Sequence, residues 1–397
     1  MAQVDLSAVS NFLKKVIAPT IEGQLPEIVP LMQNIKKNSD VTQLGNDSFY
    51  VTLRTGRHSG ISWVNSKTSS NLITGGKDVY SQATVAAAYG YGTFRIDHKV
   101  LQVKDGLGSI KNILKAESEG LLTDMGKHIN RQWGGDGTGQ IALANGAGSA
   151  TATLVVDTPG TKYMAAGQTI KIGSGSSVAI STVDSDTQVT LAATRTWSDN
   201  DLVIMTDADG SAATEMMGFR GFADDGTVVA TLQNITRSSN PFWKTPAAQL
   251  NTSGAALAEI DMIKIYGYAK EWAIGKPRYA WFLSLDQYIK LGSLLTSLKK
   301  TYDTKEVLNG GWKGLEWMDG VPIVADPDIR AGEGYLVDLN MITWATLSDI
   351  DFIPGTDNGV LVRVPGTSLY EATAAIYGNL AVKNVRCLGA FRNKTAP

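Results

Sequence analysis

Apolar and polar positions along the chain change period several times, and each change marks an element. Val9, Phe12, Leu13, Val16 and Ile17 recur at helical spacing, with Lys14 and Lys15 opposite, until Pro19, Pro26 and Pro30 break the run. So few apolar residues build no core, and residues 1–47 read as an arm that lies on something else. From Ser48 the period drops to two: Phe49, Val51 and Leu53 alternate with Tyr50, Thr52 and Arg54. A second stretch, Tyr80 to about Val100, is rich in Thr, Val, Tyr and small residues. Together they predict a long hairpin over 48–100 whose Ser-, Gly-, Asn- and Lys-rich tip is too long for a tight turn. An isolated ribbon is marginal in water, so it also needs a surface to lie on.

Ile110, Ile113, Leu114, Glu117, Leu121, Met125, Ile129 and Trp133 then recur every three or four residues, predicting one helix over 109–133 with Ser109 as N-cap. It would be about 36 Å long, and the run Gly134-Gly135-Asp136-Gly137 ends it. Residues 140–214 change character again. TATLVVD, QTIKIGS, SVAISTV, TQVTLAA and DLVIM are five short alternating runs split by turn clusters. Lys162, Lys171 and Arg195 face seven Asp and no Glu there, so the stretch carries −4 while the rest of the chain carries +2. It reads as an inserted, acidic, all-β module. Beyond it, helices over about 255–274 and 286–300 alternate with the strand-like runs RYAWFLSL, VPIVAD, GYLVDL and MITWATL. The segment SLYEATAAIYGNLAVKNVRCLGAFR closes the chain as one or two strands. The fold class is α+β, with residues 220–345 as a separate lobe and the elements near both ends packed together.

The chemistry is sparse. The net charge of −2 lacks the basic excess of a dedicated nucleic-acid binder. One cysteine, Cys387, excludes a disulfide framework and reads as a small buried hydrophobe. His58, His98 and His128 are too far apart in sequence to suggest a metal or catalytic cluster. No apolar run approaches the ~20 residues that span a bilayer, and the first residues lack a secretory pattern. There is no phosphate loop, dinucleotide fingerprint, nucleophile elbow or zinc helix motif; Gly135-Asp136-Gly137-Thr138-Gly139 follows a helix and reads as a linker. Asp207-Ala208-Asp209-Gly210, Asp184-Ser185-Asp186 and Asp224-Asp225-Gly226 lack the full calcium-loop order and read as Asp turns. No cofactor or metal is expected, and no catalytic residue. Trp63, alone in a polar loop, is either a contact within the chain or an anchor into a neighbour.

An arm, a long ribbon, a long helix and a mixed lobe make a poor enzyme and a good building block. The stretches RYAWFLSLDQYIKLGSLLTSLKK, LNGGWKGLEWMDGVPIVADPDI and GYLVDLNMITWATLSDI resemble the axial lobe of tailed-bacteriophage major capsid proteins. The run Gly314-Leu315-Glu316-Trp317-Met318-Asp319-Gly320-Val321-Pro322-Ile323-Val324-Ala325-Asp326 is similar to that family's G-x-L-x-G-x-P-V-V-x-x-D, and Val337-Asp338-Leu339-Asn340 loosely matches its next turn. FRGFADDGTVVATLQNITRSSNPFWKT resembles the start of the lobe, and the closing strands end in Ala390-Phe391 as the family's do. By order of elements the likeness covers 1–135 and 216–397; the 140–214 insert departs from it.

The resemblance implies the Hong Kong ninety-seven-type capsid fold: N-terminal arm 1–47, extended loop 48–100 laid over a neighbouring subunit, peripheral domain 101–139 plus 346–397 with the spine helix, inserted β domain 140–214, and axial domain 215–345. It implies pentamers and hexamers that form an icosahedral shell around double-stranded DNA held by non-specific contact, in a virion assembled in a bacterial cytoplasm. It implies a separate scaffolding protein, a portal and, for the insert, a decoration protein or a bracing role, with no membrane. Assembly contacts would come from Arg54, Arg57, Trp63, Lys67, Lys77, Glu117, Lys127 and Arg131. Some members weld loop to neighbour by a Lys–Asn isopeptide bond; Lys67 or Lys77, Asn379 or Asn384, and Glu371 are the residues of those types in the corresponding elements, although such residues are common there. The insert, acidic and hydroxyl-rich, is expected to face outward, away from DNA phosphates. Two other readings stay open: an encapsulin-like compartment with enzyme cargo, and a carbohydrate-binding or adhesion protein. The second is weakened by the insert's having only Tyr163 and Trp197 as aromatics. An unrecognised hydrolase would need a site assembled in space.

Overall fold

The computed structural model describes residues 35–38, 41–44, 47–56, 58–61, 63, 75–98, 107–206, 210–211, 214–299, 316–354 and 360–395. Most of the arm and the centre of the loop tip lie outside them. Helices and strands are mixed through the chain, as an α+β protein requires.

The hairpin forms, and it differs from its expected course. Ser48–Gly56 pairs antiparallel with Val79–Ala86, and Thr42–Leu44 adds a third strand. The returning strand breaks at Ala87. Its continuation, Ala88–Asp97, leaves the ribbon and pairs along its length with the terminal strand Leu369–Val382. One alternating stretch therefore serves two sheets, and long-range bonds hold the break: the Ala87 amide donates to Asp47 O at 2.9 Å, and Asn379 Nδ2 donates to Ala86 O at 2.9 Å. The ribbon is also half covered by its own chain. Phe49, Val51, Leu53, Ala83 and Val85 are buried in the main core, and the Thr84 amide bonds Gln233 O. Only the part beyond Leu53 stands free.

The body sheet runs Lys36–Lys37, Ile342–Phe352, Leu369–Val382 and Val362–Arg363, with Ala88–Asp97 also joined to Leu369–Val382. The long helix spans Leu107–Gly134, so Ser109 lies inside its first turn and not ahead of it. It packs on Ala88–Asp97, with Leu121 and Met125 lying over Gly92. Gly92 permits the approach, because a Cβ there would stand 2.4 Å from Met125 Sδ.

The lobe sheet is ordered Leu250–Asn251, Gly389–Phe391, Gly334–Asp338, Tyr279–Ser284, Val321–Asp326, Glu316–Trp317. Every residue of Tyr279–Ser284 is buried, as a central strand covered on both faces requires. Trp281 and Leu283 point to the helices Glu259–Glu271 and Leu285–Lys299, while Ala280 and Phe282 join the core of the body. Beside its own core around Trp281, Leu283 and Phe391, the lobe shares the body's core at Ala280, Phe282 and Tyr335. One expectation changes here. The last strand, Gly389–Phe391, pairs with Gly334–Asp338 in the lobe and does not complete the body sheet.

The insert is closed. Its strands Gln140–Leu143, Gly148–Val155, Thr169–Ile172, Val178–Ser185, Gln188–Trp197 and Leu202–Met205 form one antiparallel sheet with Gln140–Leu143 and Gly148–Val155 at its ends. A bridge between Ala144 and Val156 then joins those two ends into a six-stranded barrel. Five strands are the alternating runs of the sequence; Gln140–Leu143 is the addition. Leu154, Ile170, Val189 and Val203, none of them accessible to solvent, fill a core separate from that of the body. Closure leaves no strand edge to pair with other chains.

Candidate assembly surfaces

The free end of the ribbon is the most exposed apolar feature among the described residues. Arg54 Nη2 clasps Asp78 Oδ1 across it at 2.7 Å, and the pairing shifts register between Arg54 and Gly56. Tyr80, opposite Arg54, is 60% exposed, and farther out Ile61 is 72% and Trp63 98% exposed. An indole left in water forfeits the burial that makes Trp favourable in a folded chain. Among the described residues none buries Trp63. Lys77 is exposed, and His58 accepts a hydrogen bond from the Gly60 amide at 3.0 Å. Arg57 and Lys67 lie outside the described residues.

On the long helix Glu117 and Lys127 are exposed. Arg131 is buried and works inside the chain: its guanidinium pairs with Glu215, donates to Gln140 O at 2.7 Å and lies 5.5 Å from the Tyr163 ring centroid. Of the residues named for a cross-link to a neighbour, the described Asn and Glu side chains are engaged within the chain. Asn379 bonds Ala86 O and accepts from the Met217 amide at 2.9 Å. Asn384 bonds Trp272 O at 3.2 Å and the Arg386 amide at 3.0 Å. Glu371 pairs with Arg95 at 2.7 Å, and it stands about 26 Å along the same strand from Asn379. Lys77 is at the opposite end of the ribbon from Asn379. Cys387 is fully buried and burial pushes its thiol pKa up.

The sequence reading missed three buried polar clusters that join the modules. In the first, Asp224 receives Arg237 at 3.0 Å and Arg392 at 3.3 Å while its Oδ2 caps the amides of Gly226, Val228 and Val229. Arg237 spends its other donors on the carbonyls of Gly221, Phe222 and Trp243. Charges this deep persist because nearly every donor and acceptor is met. The Asp-Asp-Gly turn of the sequence is thus also the hub that ties the lobe to the C-terminus. In the second, Asp136 meets Arg220 at 3.1 Å and Arg330 at 3.5 Å, and Arg220 also pairs with Glu333.

The third docks the barrel. Lys162 pairs with Asp328 and donates to Pro327 O at 3.0 Å, and Tyr163 OH donates to Asp328 Oδ1 at 2.7 Å. Asn130 of the long helix donates to Asp326 and Asp328, each at 2.8 Å. Burial raises the Asp326 carboxyl to about 6, helped by the neighbouring Asp328 charge. Burial pushes Asp328 the same way, but hydrogen bonds from Lys162, Asn130 and Tyr163 outweigh it and hold this carboxyl below the usual range. Burial and then Arg131 lower His128 to about 4. No sequence spacing signals these clusters, because the partners are up to 198 residues apart.

Other exposed apolar side chains lie on the lobe helices: Ile260 and Tyr268 on one, Leu285 and Ile289 on the other. Among the described residues no group of three or more His, Cys, Asp or Glu can hold a metal, and no helix is long and apolar enough to cross a membrane.

No protein-family model and no curated protein matches the chain. Solved structures do. A chain of the cyanophage A-1(L) capsid asymmetric unit superposes with a TM-score of 0.55 at 11% identity, over 92% of this chain and 93% of that one. It is a phage-capsid fold. A chain from the capsid of the native GTA particle gives 0.48 at 9% identity over 93% and 91% of the two chains, a weaker likeness that assigns no fold by itself.

Proposed function

We propose that this capsid-fold chain is the major capsid protein of a tailed phage, with the Hong Kong ninety-seven-type arrangement, and that it assembles as pentamers and hexamers into an icosahedral shell around double-stranded DNA. The observation that carries the reading is the outer ribbon, whose Trp63 is 98% exposed and is buried by none of the described residues. Such a side chain is stable when a neighbour covers it, and a surface complementary to a different patch of the same chain closes into rings. In this reading 1–47 is the arm, 48–100 the loop over a neighbour, 101–139 with 346–397 the peripheral domain, 215–345 the axial domain and 140–214 an outward-facing insert. Arg54, Arg57, Trp63, Lys67, Lys77, Glu117 and Lys127 contribute assembly contacts, whereas the burial of Arg131 favours an internal role. The role is structural and not enzymatic, and the location is the virion. A scaffolding protein, a portal and a decoration protein are the expected partners, and DNA is contained without being read.

Size-exclusion chromatography with negative-stain microscopy tests it. Rings of five and six, or closed polyhedral particles, are expected. A monomer of about 42 kDa at high concentration, with a scaffold supplied, overturns it.

A further inference from the structure

The buried arginines of this fold are served unequally. Arg237 is inaccessible to solvent and spends every nitrogen: Nε on Trp243 O, Nη1 on Asp224 and Val229 O, Nη2 on Gly221 O and Phe222 O. Three others are left short among the described residues. Arg131, 8% exposed, donates through Nη1 and Nη2 and leaves Nε without a partner. Arg220 donates to Glu333 through Nη1, and its Nε stands 3.1 Å from Asp136 without making a hydrogen bond. Arg330 has one ion pair, to Asp136 at 3.5 Å, and no hydrogen bond from its guanidinium.

These three arginines line one cavity. It holds about 280 Å³ at the joint of the barrel, the long helix and the lobe, with Gln140, Thr158 and Tyr163 on its barrel side. That is several times the ~30 Å³ share of one water in the liquid. The Arg220 and Arg330 side chains keep 20% and 22% of their surface exposed, so solvent reaches the space.

Unmet donors beside open volume mark a place for acceptors. The carboxylates of the wall do not supply them. Asp328 is taken by Lys162, Tyr163 and Asn130, and Glu333 by Arg220 and the Tyr335 hydroxyl. The ion-paired groups balance in charge, Arg131, Arg220, Arg330 and Lys162 against Asp136, Glu215, Asp328 and Glu333. The imbalance lies in hydrogen bonds. Water brings donors along with its acceptors, whereas an oxyanion brings acceptors alone and suits the guanidinium fork.

We propose that this cavity binds a small tetrahedral oxyanion, inorganic phosphate or sulfate, between Arg131, Arg220 and Arg330. Arg131 already holds Gln140 O at the root of the barrel, and Arg220 and Arg330 belong to the lobe. The ion therefore cements the joint of the three modules, and it does so whether or not the chain forms a shell. The balancing acids keep the attraction modest, so millimolar concentrations are the range to test.

Urea unfolding in phosphate, in sulfate and in chloride at matched ionic strength tests the site. A ligand held by the folded state alone raises the midpoint along a saturating curve, and both oxyanions should do so. Their general exclusion from protein surfaces also stabilises, but without saturating. Arg330→Gln should remove the saturating part and keep the general one, while Lys264→Gln, on an exposed helix position, keeps both. Phosphorus NMR reads binding on the unaltered chain, where the inorganic phosphate line should broaden as protein is added. An unbroadened line, or a rise that never saturates, overturns the site. A saturating rise kept by Arg330→Gln overturns its placement. An equal rise from an oligodeoxynucleotide of the same phosphate content overturns the assignment to a free ion.

Discussion

The barrel and the ribbon are both antiparallel hairpin structures with good alternation, and they end in opposite conditions. The barrel closes through the Ala144–Val156 bridge and buries Leu154, Ile170, Val189 and Val203 in a core of its own. The ribbon has two strands and a short third, buries Phe49, Val51 and Leu53 against the body, and then runs out into solvent with Tyr80, Ile61 and Trp63 uncovered. Six strands bend far enough to bury one face completely; three do not. One sheet is thus finished within the chain, and the other ends in an exposed apolar tip that, in the proposed reading, a partner covers.

Breaking the closed region should cost the most. Leu154→Ala removes a side chain with 0% exposure and should destabilise the barrel by about 3 kcal/mol, read as a lower denaturant midpoint in urea. A loss below about 1 kcal/mol would mean that the barrel core is looser than its closure implies. Leu53→Ala and Trp63→Ala divide the ribbon at the point where it leaves the body. The first, 2% exposed, should cost about 2–3 kcal/mol. The second should leave the stability of the unassembled chain within about 0.5 kcal/mol while abolishing particles in microscopy. Equal stability losses from the two would erase the distinction between covered and free halves.

The dock of the barrel should show itself in pH. Asp326 has its folded pKa raised from 3.8 to about 6 by burial. A raised folded value means that the contribution is fully present below pH 3.8 and lost as pH rises through about 6. Asp326→Asn keeps an acceptor for the Asn130 amide and removes the titration. Above pH 6 the variant should be the more stable, on the order of 2 kcal/mol, with the difference shrinking toward pH 4. His128, lowered to about 4, works in the opposite sense and loses stability as pH falls from 6.5 through 4, so His128→Gln should flatten that limb. Thermal melts of the single variants between pH 4 and 8 separate the two. A constant offset for Asp326→Asn across that range would refute the assignment. The smallest effect belongs to the outer face of the body sheet. Arg95–Glu371 is a solvent-facing pair at 2.7 Å, and a double-mutant cycle should return about 0.2–1 kcal/mol, weaker in high salt.

Local pattern was enough to read much of this protein. Strict alternation located five of the six barrel strands, a three-to-four-residue repeat located the long helix to within two residues at its start, and apolar runs located Tyr279–Ser284 and Val321–Asp326. These elements are readable because their side-chain period reflects one buried face, and that is a property of consecutive residues. The likeness of the lobe motifs to phage capsid proteins is likewise local, carried by turns and packing positions. What only the tertiary structure decided has no local cause. Alternation continues through Ala87, so nothing in the run itself reveals that one half joins the ribbon and the other the body; a bond from Asn379 makes that choice. Gly389–Phe391 is too short to show which sheet claims it. Asp224, Arg237 and Arg392 look like three ordinary charges until the fold removes water from all of them together. Trp63 could have lain on its own chain or on another, and the fold leaves it uncovered by the described residues. Periodicity records which residues are buried; it does not record against what, because burial is a property of one chain segment and partnership a property of two.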